Sequence, residues 1–261
     1  MRSFGSFGSF GTFGSFTFGV IVFVVLCGSA VHGQSPQPAS DPRANISGAW
    51  EPARGGPGTP PPTPPSPITL KAPYAAQWQA RRAAQDEATK KGEPLATLGS
   101  ECLPYGMPTM MAVANYPMEF LQTPGQVTIV TEVHSEVRRV FLDRAQQKLE
   151  EIPPGYYGRS IGRWEGDTLV IDTLGIDPKV AGYQSLPHSP QLRITERVRL
   201  ASADILQDQI TLDDPVVLEK PVTYTLTYRR LPKYEMVEFI CDNNREYTDD
   251  KGVVRMKVQE K

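Results

Sequence analysis

The fold class of this chain is decided by the stretch Gly158-Arg-Ser-Ile-Gly-Arg-Trp-Glu-Gly-Asp-Thr-Leu-Val-Ile-Asp-Thr173. Two β-prone runs, Ser160–Trp164 and Thr168–Thr173, meet there at the tripeptide Glu165-Gly166-Asp167. A short polar turn with a glycine between two such runs is the local signature of a β-hairpin, because glycine tolerates the positive φ that tight turns require. The stretch therefore predicts β-structure in the carboxy-terminal two-thirds of the chain.

The same pattern continues from Gln126 to the end of the chain. Short runs rich in β-branched and aromatic residues are joined by tight, turn-rich connections. The predicted strands are Val127–Val133, Val137–Asp143, Ser160–Trp164, Thr168–Thr173, Leu192–Ala201, Ile205–Asp213, Val222–Arg230 and Tyr234–Cys241. This spacing predicts a mainly β fold, an antiparallel meander closed into a barrel or sandwich. Strands do not alternate with helices, which argues against a doubly wound nucleotide-binding fold.

The region before Gln126 is predicted to hold one helix. Residues Pro73–Lys91 combine a stripe of alanine and aromatic side chains with basic residues for the polar face, and Gly92 provides a stop signal. We expect this helix to pack outside the sheet or over the mouth of the barrel. The methionine- and proline-rich segment Glu101–Pro124 is expected to be irregular but buried.

The amino-terminal residues are predicted to be a processing segment followed by a linker. Residues 1–33 contain the apolar run Val20–Cys27, which is shorter than the roughly 20 residues that span a bilayer. They are predicted to form a signal peptide, so the protein is expected to be periplasmic or secreted, without a transmembrane segment after signal removal. Residues 34–67 are predicted to be a linker and proline-rich loop, with a first strand near residues 46–50, and residues 68–261 to hold the helix and barrel.

Export makes the cysteine count informative. Cys27 leaves with the predicted signal peptide, so Cys102 and Cys241 remain as an even pair in an oxidising compartment. We predict a disulfide between them, which would close a loop of about 140 residues and stabilise the fold by roughly 4–5 kcal/mol on the chain-entropy model. The alternative is two separately buried thiols.

Charge and motif content argue against several classes of protein. The chain has 27 basic and 29 acidic residues, and its sequence shows no basic stripe, so a nucleic-acid partner is not expected. His134 and His188, the histidines outside the predicted signal peptide, lack metal-ligand spacing, so no metal site is predicted. No phosphate-binding loop or serine-hydrolase motif is present in the sequence, and no cofactor is expected.

The order of several motifs resembles that of a known family. The motifs are Cys102-Leu-Pro-Tyr-Gly-Met-Pro108, Arg138-Arg-Val-Phe-Leu-Asp143, the block Gly158–Thr173, Leu192-Arg-Ile-Thr-Glu-Arg197 and Thr211-Leu-Asp-Asp-Pro215. They resemble those of exported, functionally uncharacterised bacterial proteins with a Gly-His-Ser-Ile-Gly-Arg-Trp-Glu-Gly-Asp-Thr-Leu-Val block. The resemblance implies export and a lipocalin-like (calycin-like) β-barrel, and it implies no activity. Relatives carry histidine where this chain has Arg159, so any chemistry of that histidine would be absent here.

Strand alternation places two carboxylates in the predicted interior. Glu196 shares a face with the apolar positions of Leu192–Leu200, and Asp208 does so in the next strand. A buried carboxylate costs several kcal/mol unless it is paired, or its pKa rises. Arg139 and Arg163, which alternate with apolar neighbours, are predicted to point inward as partners. The group would be either an ion pair that fixes the register of the barrel, or a polar anchor or general base below an apolar cavity.

Three functions fit these features. In the first, the barrel interior binds a small apolar or amphipathic molecule. The ligand-binding residues would then be Arg163, Arg139, Asp208, Trp164, Tyr224 and Tyr228. In the second, the protein is a cofactor-free lyase, isomerase or cyclase with Glu196 as general base and His188 or a tyrosine as acid. In the third, it is a structural or interaction protein of the envelope.

Overall fold

The computed structural model describes residues 44–53, 66–92, 95–113, 116–180, 182–241, 246–248 and 254–256. The helix α1 is Tyr74–Lys90. The strands are β1 (Gly48–Pro52), β2 (Met118–Thr123), β3 (Gln126–Thr131), β4 (Val137–Leu142), β5 (Arg159–Glu165), β6 (Thr168–Leu174), β7 (Arg193–Ser202), β8 (Ile205–Asp213), β9 (Val222–Arg230), β10 (Glu246–Thr248) and β11 (Val254–Met256). The predicted signal peptide and residues 54–65 of the proline-rich loop lie outside the described residues.

Strands β1 to β9 close into a barrel, so the prediction of a mainly β fold with a closed barrel is confirmed. β1 closes the barrel by pairing with both β2 and β9. The prediction that every pair is antiparallel is wrong for β4 and β5, which run parallel. A parallel pair needs a crossover connection rather than a hairpin, and residues 143–158 provide it. β10 and β11 form a separate two-stranded sheet.

The hairpin that decided the fold class is confirmed. β5 and β6 pair along their length, from Arg159 opposite Leu174 to Glu165 opposite Thr168. Gly166 has a φ of +62° in the turn between them, the left-handed conformation that glycine adopts without steric cost.

Two strand predictions are corrected. β2 lies in the segment that was expected to be irregular, where buried Met118 and Phe120 alternate with more exposed positions. Conversely, Tyr234–Cys241 forms no strand. Because β9 already pairs with β8 and β1, the closed barrel leaves this segment no edge to pair with.

Side chains and an inserted segment fill the interior of the barrel. Met107, Met110 and Met111 are fully buried there, as expected for this part of the irregular segment. The hydroxyl of Tyr228 on β9 donates a hydrogen bond to the carbonyl oxygen of Met111 at 2.7 Å. We call residues 107–112 the methionine plug.

The first strand contains a buried tryptophan. Trp50 is fully buried, and its indole N–H donates to the carbonyl oxygen of Ile46 at 3.0 Å. The guanidinium of Arg230 lies 4.1 Å from the Trp50 ring centroid and donates to the carbonyl oxygens of Ser47 and Ala203. Arg230 therefore ties the start of β1 to the turn between β7 and β8.

The predicted helix is present, but none of its residues is buried. Tyr74 and Trp78 are partly buried against the core, and the Trp78 indole N–H donates to the carbonyl oxygen of Gln184 at 3.2 Å. Within the described residues, no helix combines the length and the apolar character needed to cross a bilayer.

The predicted pairing of Cys102 with Cys241 is confirmed, with the two sulfurs 2.03 Å apart. Cys102 follows the single helical turn Gly99–Glu101. The disulfide therefore joins this turn to the chain that follows β9.

Candidate functional site

The carboxylates predicted from strand alternation meet an arginine inside the barrel. Glu196 of β7 and Asp208 of β8 are both fully buried, as expected. Arg138 of β4 is also buried, and it donates from Nη1 to Glu196 Oε1 at 2.8 Å and from Nη2 to Glu196 Oε2. This two-point contact is the geometry in which a planar guanidinium binds a carboxylate most strongly. We call Arg138, Glu196 and Asp208 the buried charge cluster.

Two hydroxyl groups accept two further N–H groups of Arg138. Its Nε donates to Ser160 Oγ at 3.1 Å, and its Nη2 donates to Thr173 Oγ1 at 3.0 Å. The two hydroxyl oxygens lie 2.8 Å apart, within hydrogen-bonding distance. Because these residues lie on β4, β5, β6 and β7, the cluster fixes the register of four neighbouring strands.

Asp208 is the cluster member that receives no hydrogen bond from a conventional donor. Among the described residues, no N–H or hydroxyl donor reaches either of its carboxyl oxygens, and its polar neighbour is Glu196. Burial first, and the negative charge of Glu196 second, raise the pKa of Asp208 well above its ordinary value, while Arg138 opposes the shift. The raised pKa favours the protonated form of Asp208, and with that proton the cluster carries no net charge.

The two arginines that were predicted to point inward lie on the outer surface. Arg139 is exposed, and so is Arg163, whose Nη2 donates to Glu165 Oε1 at 2.6 Å. In Val137-Arg-Arg-Val-Phe-Leu142, each face of the strand carries one arginine and two apolar residues, so alternation does not distinguish the two registers. Phe141 faces outward, where an arginine guanidinium lies 4.7 Å from its ring centroid.

The predicted inward face of β5 is also wrong, because its inward positions are shifted by one residue. Its inward positions are Ser160, Gly162 and Trp164 rather than the face that carries Ile161. A Cβ atom on Gly162 would lie 2.8 Å from Val140 Cγ1, so only glycine fits at this position without displacing the core. Trp164 is half-buried, and within the described part of the chain its indole N–H has no acceptor.

His188 and Glu196 are not brought together. The ring nitrogens of His188 lie 3.0 Å from the carbonyl oxygen of Ser189 and 2.8 Å from that of Val180, both in the connection between β6 and β7. Both carboxylate oxygens of Glu196 are held by Arg138. A general base must reach its substrate, and Glu196 is fully buried with both oxygens bound to Arg138.

An open cleft of about 480 Å³ lies at the end of the barrel where the methionine plug enters. Its apolar and aromatic walls are formed by Leu98, Tyr105, Pro108, Ala112 and Tyr224. Arg81, Glu101 and Lys179 add charged groups, and all three are exposed. We call this site the mouth cleft.

Tyr224 is the one predicted ligand-binding residue that lines the mouth cleft. It is only 2% exposed and lies on β9, the strand that also carries Tyr228. Burial above all, and also the nearby charge of Glu196, raise the pKa of the Tyr228 hydroxyl well above its ordinary value. The tyrosines of β9 therefore extend from the mouth cleft toward the buried charge cluster.

Glu136, a buried carboxylate that no sequence pattern indicates, shapes the wall of the cleft. Its Oε1 accepts the backbone N–H of Tyr105 at 2.8 Å, and its Oε2 accepts that of Gly106 at 3.0 Å. Burial raises the pKa of Glu136, while hydrogen bonds from Gly106, Tyr105 and the Tyr157 hydroxyl lower it. The sequence gives Glu136 the features of an ordinary turn residue, because its partners are distant along the chain.

Within the described residues, no three His, Cys, Asp or Glu side chains are grouped as metal ligands would be. No protein-family model matches the chain, and no curated protein matches it. The function must therefore be inferred from the mouth cleft and the buried charge cluster.

Proposed function

We propose that this protein binds a small, largely apolar molecule in the mouth cleft. The observation that carries the proposal is a cleft of about 480 Å³ with apolar and aromatic walls. Small-molecule sites in proteins commonly occupy roughly 300–1,000 Å³, with apolar walls and a few polar groups. The mouth of a β-barrel is a frequent place for such a site.

The site differs from the one expected from the sequence, which was the interior of the barrel. The methionine plug fills part of that interior, and Arg138 and Glu196 satisfy each other there. A ligand in the interior would have to displace well-packed side chains and separate a paired buried charge, both of which are costly. A ligand in the mouth cleft displaces only solvent.

The lining of the cleft favours an amphipathic ligand. Leu98, Tyr105 and Pro108 offer an apolar surface, while Arg81 and Lys179 offer exposed cationic groups. An apolar body would be buried against the wall, and a polar or anionic end would remain near the cations and solvent.

A blocking variant tests this proposal. Anilinonaphthalene sulfonate, an apolar fluorescent anion, is titrated into the wild type, into Ala112→Trp, which fills the cleft, and into Ala145→Trp as a matched surface control. We expect Ala112→Trp to weaken binding by at least about tenfold, which corresponds to a loss of about 1.4 kcal/mol. Equal affinity of the wild type and both variants would reject the mouth cleft as the site. Native mass spectrometry of protein from its own host would then identify a co-purifying ligand.

We also infer that the barrel is lipocalin-like and that the protein is exported. The closed barrel and the segment Gly48-Ala49-Trp50 in β1 support the lipocalin-like fold. The disulfide supports export, because disulfides persist in oxidising compartments. The parallel β4–β5 pair departs from a simple up-and-down barrel. Amino-terminal sequencing of protein recovered from the exported fraction tests the export. A mature chain that starts near residue 34 is expected, and an intact Met1 in a cytoplasmic fraction would contradict it.

A further inference from the structure

The chain continues after β9 as an irregular segment that contacts residues beside the mouth cleft. Residues 231–241 contain neither helix nor strand, and we call them the carboxy-terminal strap. Val237 and Ile240 in the strap are 61% and 71% exposed. A segment with little buried apolar surface and no regular backbone pairing opens at low free-energy cost unless other bonds hold it.

Three attachments hold the carboxy-terminal strap. The Tyr234 hydroxyl donates to Glu132 Oε2 at 2.5 Å, and the Val237 N–H reaches the same oxygen at 3.3 Å. The Phe239 ring lies against two rings of the barrel end, those of Tyr116 and His134. The third attachment, the disulfide to Cys102, is covalent and lies at the far end of the strap.

Two of these attachments lead directly to the wall of the mouth cleft. Cys102 follows Glu101, a residue of the cleft, and Cys241 Sγ lies 4.0 Å from the carbonyl oxygen of Gly99 in the same turn. The His134 ring that contacts Phe239 also packs edge-on against Tyr105, another residue of the cleft, with ring centroids 5.1 Å apart. The carboxy-terminal strap thus supports residues 98–105 through the disulfide and through the contact of Phe239 with His134.

We propose that the Cys102–Cys241 disulfide controls the mouth cleft, and that its reduction by a dithiol weakens ligand binding without unfolding the barrel; this rests on the proposed binding function. Both cysteines are half-buried, and Leu103 and Ile240 beside them are exposed, so a reductant can approach. A thiolate of the dithiol attacks one sulfur, the S–S bond breaks, and the released thiolate takes up a proton. The second thiol of the reductant then displaces the protein sulfur, which leaves two cysteine thiols and an oxidised dithiol.

Reduction of the disulfide removes support from the wall of the mouth cleft, and this loss should weaken ligand binding. Reduction lowers the stability of the whole fold, but the strands β1 to β9 still pair directly with one another without the disulfide. The turn Gly99–Glu101 has no such strand pairing, so without the strap it samples more conformations. Ordering it again on binding would reduce the affinity of the cleft.

The experiment uses the full chain in oxidised form and after treatment with dithiothreitol, with Cys102→Ser/Cys241→Ser as a permanent reduced mimic. Affinity for anilinonaphthalene sulfonate, circular dichroism and hydrogen exchange are measured on each form. We expect a roughly tenfold loss of affinity, within the usual range of couplings between sites. Faster exchange is expected in residues 98–105 and 234–241, with an unchanged β spectrum and protected β7 to β9.

Three outcomes decide the proposal. Unchanged affinity and unchanged exchange in residues 98–105 after reduction would overturn it. Loss of the β spectrum on reduction would also overturn it, because the disulfide would then hold the fold rather than the cleft wall. If Ala112→Trp leaves probe binding of the oxidised protein intact, the binding site itself is wrong. In that case hydrogen exchange in residues 98–105 still shows whether the disulfide orders the cleft wall. A wrong binding site and a disulfide without effect on the wall can therefore be distinguished.

Discussion

The buried charge cluster and the mouth cleft are built in opposite ways. Each residue of the cluster comes from a strand and is fully buried, and Arg138 and Glu196 bind each other within the barrel. The cleft is built mainly from irregular segments, and its charged groups are exposed. Strands that fix one another's register give a rigid scaffold, and loops attached to it can adapt to a ligand. We therefore attribute stability to the cluster and propose binding for the cleft.

The largest effect is expected from Arg138→Met. Removing the guanidinium leaves Glu196 as an unpaired buried charge, which typically destabilises a protein by about 3–5 kcal/mol. The neighbouring Arg139→Met is a matched control, because Arg139 is exposed on the opposite face and should cost less than about 0.5 kcal/mol. Urea unfolding of both variants measures the difference. Equal destabilisation would contradict the assignment of Arg138 as the inward residue.

A smaller effect is expected from Glu136→Gln. The neutral amide offers only one oxygen where the carboxylate accepts the N–H groups of Tyr105 and Gly106, so one buried donor is left unsatisfied at about 1–3 kcal/mol. Because these donors support the cleft wall, probe affinity should fall together with the free energy of unfolding. The exposed Glu150→Gln is the control. If Glu136→Gln loses neither probe affinity nor free energy of unfolding, Glu136 does not support the cleft wall.

The pH dependence of Asp208→Asn tests whether Asp208 holds its proton in the folded state. Burial and Glu196 raise the pKa of Asp208 in the folded state, so the folded protein holds a proton that the unfolded chain releases above its ordinary pKa of about 3.9. The stability contribution of Asp208 is therefore fully present below that value and falls as pH rises toward the folded pKa. Asparagine keeps a donor for Glu196 and does not titrate.

We would measure urea unfolding of the wild type and of Asp208→Asn between about pH 4 and 9. This pH range starts near the ordinary Asp pKa of about 3.9. We expect the variant to gain stability relative to the wild type as pH rises, with the smallest difference at the acid end. Parallel curves across the whole range would show that Asp208 is ionised in the folded protein.

Much of the scaffold was predictable from the sequence, because its signals are local. The hairpin at Gly166 and the inward positions of Glu196 and Asp208 follow from turn chemistry and clear alternation. Arg138 was not distinguishable from Arg139, because both faces of β4 are equally apolar. The parallel pairing of β4 with β5 depends on a crossover that leaves no local signal.

The cleft was less predictable than the cluster. Its wall is held by Glu136, which lies about 30 residues from its partners along the chain, and by a disulfide across 139 residues. Such contacts are set by the closed barrel rather than by any run of adjacent residues. The methionine plug fills part of the expected interior site, and its contact with Tyr228 joins residues that lie 117 positions apart.

The most direct test of the account compares probe binding in Ala112→Trp and Asp208→Asn. One change fills the mouth cleft, and the other alters the interior of the barrel without changing its shape. We expect Ala112→Trp to lose at least about tenfold in affinity for anilinonaphthalene sulfonate, a loss of about 1.4 kcal/mol, and Asp208→Asn to bind like the wild type. The reverse result, with binding lost in Asp208→Asn and retained in Ala112→Trp, would place the ligand in the interior and contradict the account.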